Sequence, residues 1–372
     1  MFGRRPALFA AVLLTAVAGS QSSPAFADTS GAIFGPERSV AVTVLGNTPT
    51  AEGIATADFD GDGHIDVAMT DELGFGIRLL PGRGDGTFDP AGYIPTGIAP
   101  DALTAGDLDR DGNPDLLVSN AIGDIVVLYG DGHGGFAEQG RYFAQGLVPG
   151  AARIADFDND GRPDFAVAAF PVGVFLNNGD RTYTGRPYFA STVAVGLQPA
   201  DFDGDGNTDI VVASGFPVVL TVLYGNGDGS FGRPQALLAP DLIQEAIRVA
   251  DMNGDGRPDI VGVTSLGGIN VWLNSDHGLR QSNWSIGSPG NAGLALADFD
   301  GDGKMDIVTG DSILMHVTFW RGDGAGHFTR TEWHTAPWLV ESVETADLNN
   351  DGKPDLLAGP FIGPWLSVYL HT

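Results

Sequence analysis

The residues able to do chemistry in this chain are aspartates, and they come in a fixed arrangement. Asp, any residue, Asp or Asn, any residue, Asp, Gly, two residues, Asp recurs seven times, beginning at Asp58, Asp107, Asp156, Asp201, Asp251, Asp298 and Asp347. Carboxylates crowded into one such loop repel each other, and without compensation the cluster is costly or takes up protons. A hard cation removes the conflict. Calcium accepts roughly six to eight oxygens in irregular geometry, so it suits carboxylates at alternate positions plus a backbone carbonyl better than magnesium, which demands a strict octahedron.

The spacing assigns the ligands. Positions one, three, five and nine offer side-chain oxygens and position seven its carbonyl, which in the first loop gives Asp58, Asp60, Asp62, His64 and Asp66. The His64 imidazole is not needed. The second to fourth loops supply Asp107, Asp109, Asp111, Asn113 and Asp115, then Asp156, Asp158, Asp160, Arg162 and Asp164, then Asp201, Asp203, Asp205, Asn207 and Asp209. The fifth to seventh supply Asp251, Asn253, Asp255, Arg257 and Asp259, then Asp298, Asp300, Asp302, Lys304 and Asp306, then Asp347, Asn349, Asp351, Lys353 and Asp355. Asn253 and Asn349 each remove one charge, so those two sites are expected to be weaker. A helix-loop-helix calcium hand shares the first six positions but needs glutamate at position twelve. Position twelve here is Met69, Val118, Val167, Val212, Gly262, Thr309 and Ala358, which excludes it.

The loops start 45 to 50 residues apart, the length of a four-stranded propeller blade. Apolar residues lead into each loop and β-rich runs follow it, such as Asp66-Val67-Ala68-Met69. A third strand follows, as in Ile125-Val126-Val127-Leu128-Tyr129, then a glycine-rich turn, with Phe88, Phe136, Tyr183, Phe231 and Phe328 opening the fourth. No segment keeps a helical period, so the expected fold is all-β: a seven-bladed β-propeller. The seventh copy stops after its third strand while Ile33-Phe34-Gly35-Pro36 looks like an orphan fourth one. Residues of about 33 to 43 are therefore expected to close the last blade and remove the open edges.

Composition narrows the setting. The chain has 372 residues, 55 of them glycine, and no cysteine, so it has no disulfide framework and no thiolate chemistry. Its net charge of -28 argues against nucleic acid and anionic membranes as partners. Arg4 and Arg5, the apolar run from Pro6 to Gly19 and the small residues of Ala25-Phe26-Ala27 read as a signal peptide cleaved after Ala27. That run is too short to span a bilayer of about 30 Å as a helix, and no later stretch is long and apolar enough. The expected product is a secreted monomer, with one domain over residues 28–372 and calcium in the place of disulfides.

The seven loops, Phe34-Gly35-Pro36 and the repeated Gly-Asp-Gly-x-Phe turns resemble the FG-GAP and VCBS repeats of integrin alpha-subunit propellers and of many bacterial exported proteins. The likeness covers nearly all of residues 30 to 372, and it implies structural calcium in the Asp-x-Asp-x-Asp-Gly-x-x-Asp loops. Integrin propellers carry the loop in only some blades; this chain carries it in all seven. The ligand is implied only weakly, because one architecture hosts many functions.

The face away from the loops is expected to gather Glu72, Phe75, Asn120, Phe170, Phe216, Gln244, Glu245, Trp338, Glu341, Phe361 and Trp365. Phe75, Phe170, Phe216, Trp338 and Trp365 are the candidates for stacking on sugar rings or protein side chains; each could equally pack between blades. No catalytic residue is assigned. Three functions stay open: an extracellular binding or adhesion module for carbohydrate or a surface protein, a polysaccharide lyase or hydrolase, and a scaffold that binds only calcium. The enzyme would need an acid/base pair, for which Glu72, Glu245, Glu341 and His334 are the candidates. Arg83-Gly84-Asp85 and Arg321-Gly322-Asp323 spell an integrin-binding tripeptide, but both fall in the same repeat turn. There is no zinc-type histidine spacing and no Gly-x-Ser-x-Gly elbow.

Overall fold

The computed structural model describes residues 33–42, 53–97, 99–144, 150–189, 194–215, 218–238, 244–264, 268–286 and 291–372. The expected signal segment, Phe216 and the side chains of Gln244 and Glu245 lie outside what is described. The described residues form seven antiparallel four-stranded sheets. Blade one spans 54–95, and blades two to six span 100–143, 152–188, 194–238, 244–286 and 291–335. Blade seven is built from Val340–Ala346, Asp355–Pro360 and Trp365–Tyr369, and its outer strand is Arg38–Ala41. In that pairing Arg38 faces Val368 and Ala41 faces Trp365, so the N-terminal strand closes the last blade.

The ring follows from where the apolar side chains go. Successive residues of a strand point to opposite faces of its sheet, and in a propeller both faces meet a neighbouring blade. Val67 and Met69 pack against Leu357, Leu366 and Val368 of blade seven. Ala68, between them in sequence, packs with Leu103, Leu116 and Val126 of blade two. Asp66–Asp71 is therefore buried from end to end and reads as a run rather than an alternation. The core is not one mass: seven such clusters lie at the blade interfaces.

The outer strands correct one detail. Phe136, Tyr183 and Phe328 do open theirs. Phe88 and Phe231 make only isolated bridges, to Gly82 and Gly225, and the strands begin at Gly92 and Gln235. A proline, Pro90 or Pro234, lies between; it has no N–H for the ladder and interrupts the edge. Phe34 bridges His371 in the same way, with Pro36 before the strand at Arg38.

Candidate functional site

Each aspartate loop joins the inner strand of a blade to the second strand, so all seven lie at one end of the ring. The turn at position six is left-handed in every loop, as at Gly63 (φ 87°), and position four is left-handed too. Four loops place glycine at position four; Asn159, Asn350 and Arg110 adopt the same conformation at greater cost. This turn aims backbone N–H groups at the carboxylates. The first aspartate accepts the N–H of the sixth-position glycine at 2.7–3.0 Å in all seven loops. The fifth-position aspartate accepts the seventh-position N–H at 2.8–3.0 Å.

Held in this way, the acids converge. Oxygens of Asp58, Asp60 and Asp62, and of Asp298, Asp300 and Asp302, lie within 4.8 Å of one another. The same holds for Asp107, Asp109 and Asp115, for Asp156, Asp158 and Asp164, and for Asp201, Asp203 and Asp209. These clusters could hold a metal ion. Loops five and seven bring an amide, from Asn253 and Asn349, in place of the carboxylate at position three.

The ninth-position aspartate has a second task that spacing alone did not reveal. It is at most 1 % exposed in every blade. One oxygen accepts the N–H of the loop's second residue at 2.6–3.0 Å, as Phe59 does to Asp66 and Leu108 to Asp115. The other accepts a backbone N–H from the end of the third strand at 2.7–2.9 Å, from Gly82 to His371 around the ring. The carboxylate thus ties the loop to the hairpin of its own blade. Burial pushes its pKa up, to about 6 at Asp115, Asp164, Asp209, Asp259 and Asp306, against the lowering effect of the two N–H bonds. Asp66 and Asp355 shift upward for the same reason.

The donor set fits a hard cation. It consists of oxygens only, and in loop three Asp156 Oδ1 is buried with no hydrogen-bond partner. Such an atom needs a positive charge or a donor opposite it. Side-chain cations lean on other acids of the loops. Arg181 of blade three pairs with Asp109 and lies 3.8 Å from Asp111; Arg321 lies 2.5 Å from Asp300 and 3.5 Å from Asp302. Arg162 pairs with Asp160, and Lys304 with Asp302 at 3.2 Å. Arg181 comes from another blade, so no reading of the loop sequence could have placed it.

The loops also link blades. The carbonyl of the second loop residue accepts a bond from the next blade's hairpin: Gly86 N to Leu348 O, Gly134 N to Phe59 O and Gly229 N to Phe157 O, each 3.0 Å. Side chains do the same from Asn177 to Leu108 O (2.9 Å), Asn274 to Phe202 O (2.7 Å) and His371 to Phe299 O (2.6 Å). The Leu348 bond crosses from blade seven to blade one.

A loop that recurs with the same hydrogen bonds in each blade is the mark of one repeat copied along the chain. The model of the FG-GAP-like repeat matches residues 58–118, 113–167, 201–262, 251–309 and 310–358. The chain belongs to the FG-GAP-like repeat family. No curated protein matches it. Among solved structures, BBS1N, crystallised in complex with ARL6DN, superposes with a TM-score of 0.65 at 13% identity, covering 91% of this chain and 97% of that one. An Agrocybe aegerita lectin that recognises non-reducing terminal N-acetylglucosamine gives 0.55 at 19%, covering 86% and 88%. Saccharomyces cerevisiae Sqt1 gives 0.61 at 10%, covering 90% and 98%. At these identities the likeness is one of fold.

The far end of this FG-GAP propeller is chemically different. The large apolar side chains that are exposed among the described residues all lie toward it. Leu73 and Phe75 occupy the second turn of blade one, Ile122 that of blade two, Phe170 that of blade three, and Ile313, Leu314 and Met315 that of blade six. Phe143 ends an outer strand and Phe189 follows one, Trp338 precedes blade seven, and Trp365 opens its third strand. Phe75, Phe170, Trp338 and Trp365 are 53%, 39%, 37% and 39% exposed, too open for blade-to-blade packing to account for them. Phe170 and Phe189 touch edge to face at 6.0 Å.

Other residues expected on this face serve the fold. Asn120 is fully buried and donates to Asp124 at 3.2 Å, and Arg141 donates to the same carboxylate at 2.6 Å. Glu341 is 8% exposed. Burial and the Asp101 charge raise the pKa of Glu72. His334 packs against the rings of Phe34 and Tyr369.

Proposed function

We propose that this protein is a secreted calcium-binding module that uses the loop-bearing end of the ring for stability and the opposite end for binding. The observation that carries the reading is the segregation of the two: repeated carboxylates at one end, exposed aromatic and aliphatic side chains at the other. Monomeric proteins seldom leave contiguous apolar surface uncovered without a partner for it. Calcium would be held by side-chain oxygens at positions one, three, five and nine and the carbonyl at position seven. It would supply the positive charge that lets buried carboxylates such as Asp115 ionise.

The ligand would be an extracellular carbohydrate or a surface protein, with Phe75, Phe170, Trp338 and Trp365 as stacking groups. The lectin and BBS1N support this breadth, one recognising a sugar and the other solved with a protein. A glycan array probed with calcium and with chelator tests the sugar arm. Binding that Trp338→Ala or Trp365→Ala abolishes in a folded protein supports the reading. A ligand that resists both substitutions but is lost when loop-face residues such as Arg181 are replaced would reverse the assignment of the two ends.

A further inference from the structure

The inner strand of each blade touches the inner strands of both neighbours, so seven strands close a ring around the axis. The residue three places before each loop stands at one level of that ring, since in every blade it pairs with the residue two after the ninth aspartate, as Arg153 does with Ala166 and Glu344 with Leu357. Blades one and six have alanine there; the others have Thr104, Arg153, Gln198, Arg248 and Glu344. Arg248 Nη2 lies 3.8 Å from Glu344 Oε2, two blades away, so these side chains meet across the axis.

Arg153 has no such partner. Its guanidinium donates to Ala152 O at 2.7 Å and to Thr104 Oγ1 at 3.5 Å, and among the described residues no carboxylate lies within ion-pair distance. It is half-buried by surface area, yet burial is the main influence lowering its pKa, followed by the Arg248 charge. The ring of seven inner strands encloses such a group from all sides. Guanidinium does not discharge under such pressure, so two fixed positive charges share the axis with one carboxylate. The level carries one uncompensated positive charge in a chain whose net charge is -28.

We propose that the axial channel binds a small oxyanion, a carboxylate or sulfate-like group, between Arg153 and Arg248. The planar fork of each guanidinium suits two oxygens of such a group, and one negative charge completes the balance that Glu344 leaves unfinished. The Thr104 hydroxyl is committed to Ala152 O at 2.8 Å, and the Gln198 amide, with one N–H on Ile247 O at 3.0 Å, keeps a second N–H at the same level. The site is separate from the aspartate loops and from the aromatic end.

Calorimetric titration of the calcium-saturated, full-length protein with sulfate and with D-glucuronate tests this. One anion should bind per chain, Arg153→Gln and Arg248→Gln should each weaken it roughly ten-fold or more, and Glu344→Gln should tighten it by removing the competing carboxylate. Binding of either anion with that pattern supports the site. Failure of both at concentrations on the order of 10 mM overturns it, as does binding unchanged in Arg153→Gln. Should the arginine variants not fold, Glu344→Gln decides: arginines that serve only as structural partners of Glu344 would leave that variant less stable and without gain in anion affinity. Loss of the glycan or calcium reading would leave this outcome untouched.

Discussion

The two ends of the ring follow opposite rules. At the loop end every blade repeats the same bonds: Gly63 N to Asp58 and Phe59 N to Asp66 in blade one have counterparts in all seven. At the other end the blades diverge, although one and six share a turn in which Asp71 and Asp311 accept the N–H three residues on, from Gly74 and Leu314. Blade one holds its second turn with the buried Arg78–Asp71 pair, blade two with Asn120, Asp124 and Arg141, and blade six with N–H bonds from Ile313 and Leu314 to Asp311. A repeat is uniform where one geometry must recur to close a ring, and it varies where only local stability is required. The proposed binding surface is of the second kind.

The largest effect should come from removing the ions at the uniform end. With Kd near ~0.1 mM and free calcium near ~1 mM, each site would contribute about 1.4 kcal/mol, or ~10 kcal/mol for seven if additive. Calorimetric melting in chelator should then fall by roughly 10–15 °C relative to calcium. Equilibrium dialysis that recovers almost no bound ion, or a melting temperature indifferent to chelator, would remove the metal from the comparison and leave hydrogen bonds alone to explain the uniform end.

Next in size is the loss of one buried carboxylate. Asp209→Ala would leave Phe202 N and Gly225 N unpaired, at about 1–3 kcal/mol each. Because these bonds are independent of metal, the loss should persist in chelator, measured by denaturant unfolding. A loss seen only with calcium present would make Asp209 a ligand and nothing more. The blade links should matter less: Asn177→Ala removes the bond to Leu108 O and another to Pro163 O, and should cost about 2 kcal/mol by the same assay.

The sequence made the repeat legible because seven copies of nine residues leave little room for coincidence, and the period fixed strand count, blade count and ring closure. The aromatic end was legible in part: Phe75, Phe170, Trp338 and Trp365 follow from antiparallel alternation, which sends every second turn to the far side. Asn120 could not be separated from them, since its burial depends on Arg141 and Thr96, distant in sequence and adjacent in space. For the same reason the ninth aspartate read as a ligand only. Its second bond runs to a backbone N–H 13 to 16 residues away, and a backbone group leaves no trace in residue type.

The smallest effect has the opposite sign. Phe75 sits in the left-handed region (φ 64°), where a bulky side chain is disfavoured, and its ring is 53% exposed. Met315 occupies the matching turn of blade six with φ 57°. Glycine takes this conformation without penalty, so Phe75→Gly should stabilise the protein by about 1 kcal/mol in denaturant unfolding, because little packing is lost. The same variant should bind ligand less well. At the uniform end the large side chain Arg110 bears the same strain, and there Arg110→Gly should raise stability by a similar amount, about 1 kcal/mol, with ligand binding unchanged. If Phe75→Gly instead destabilises, the ring is packing rather than waiting for a partner, and blade one drops out of the proposed binding surface.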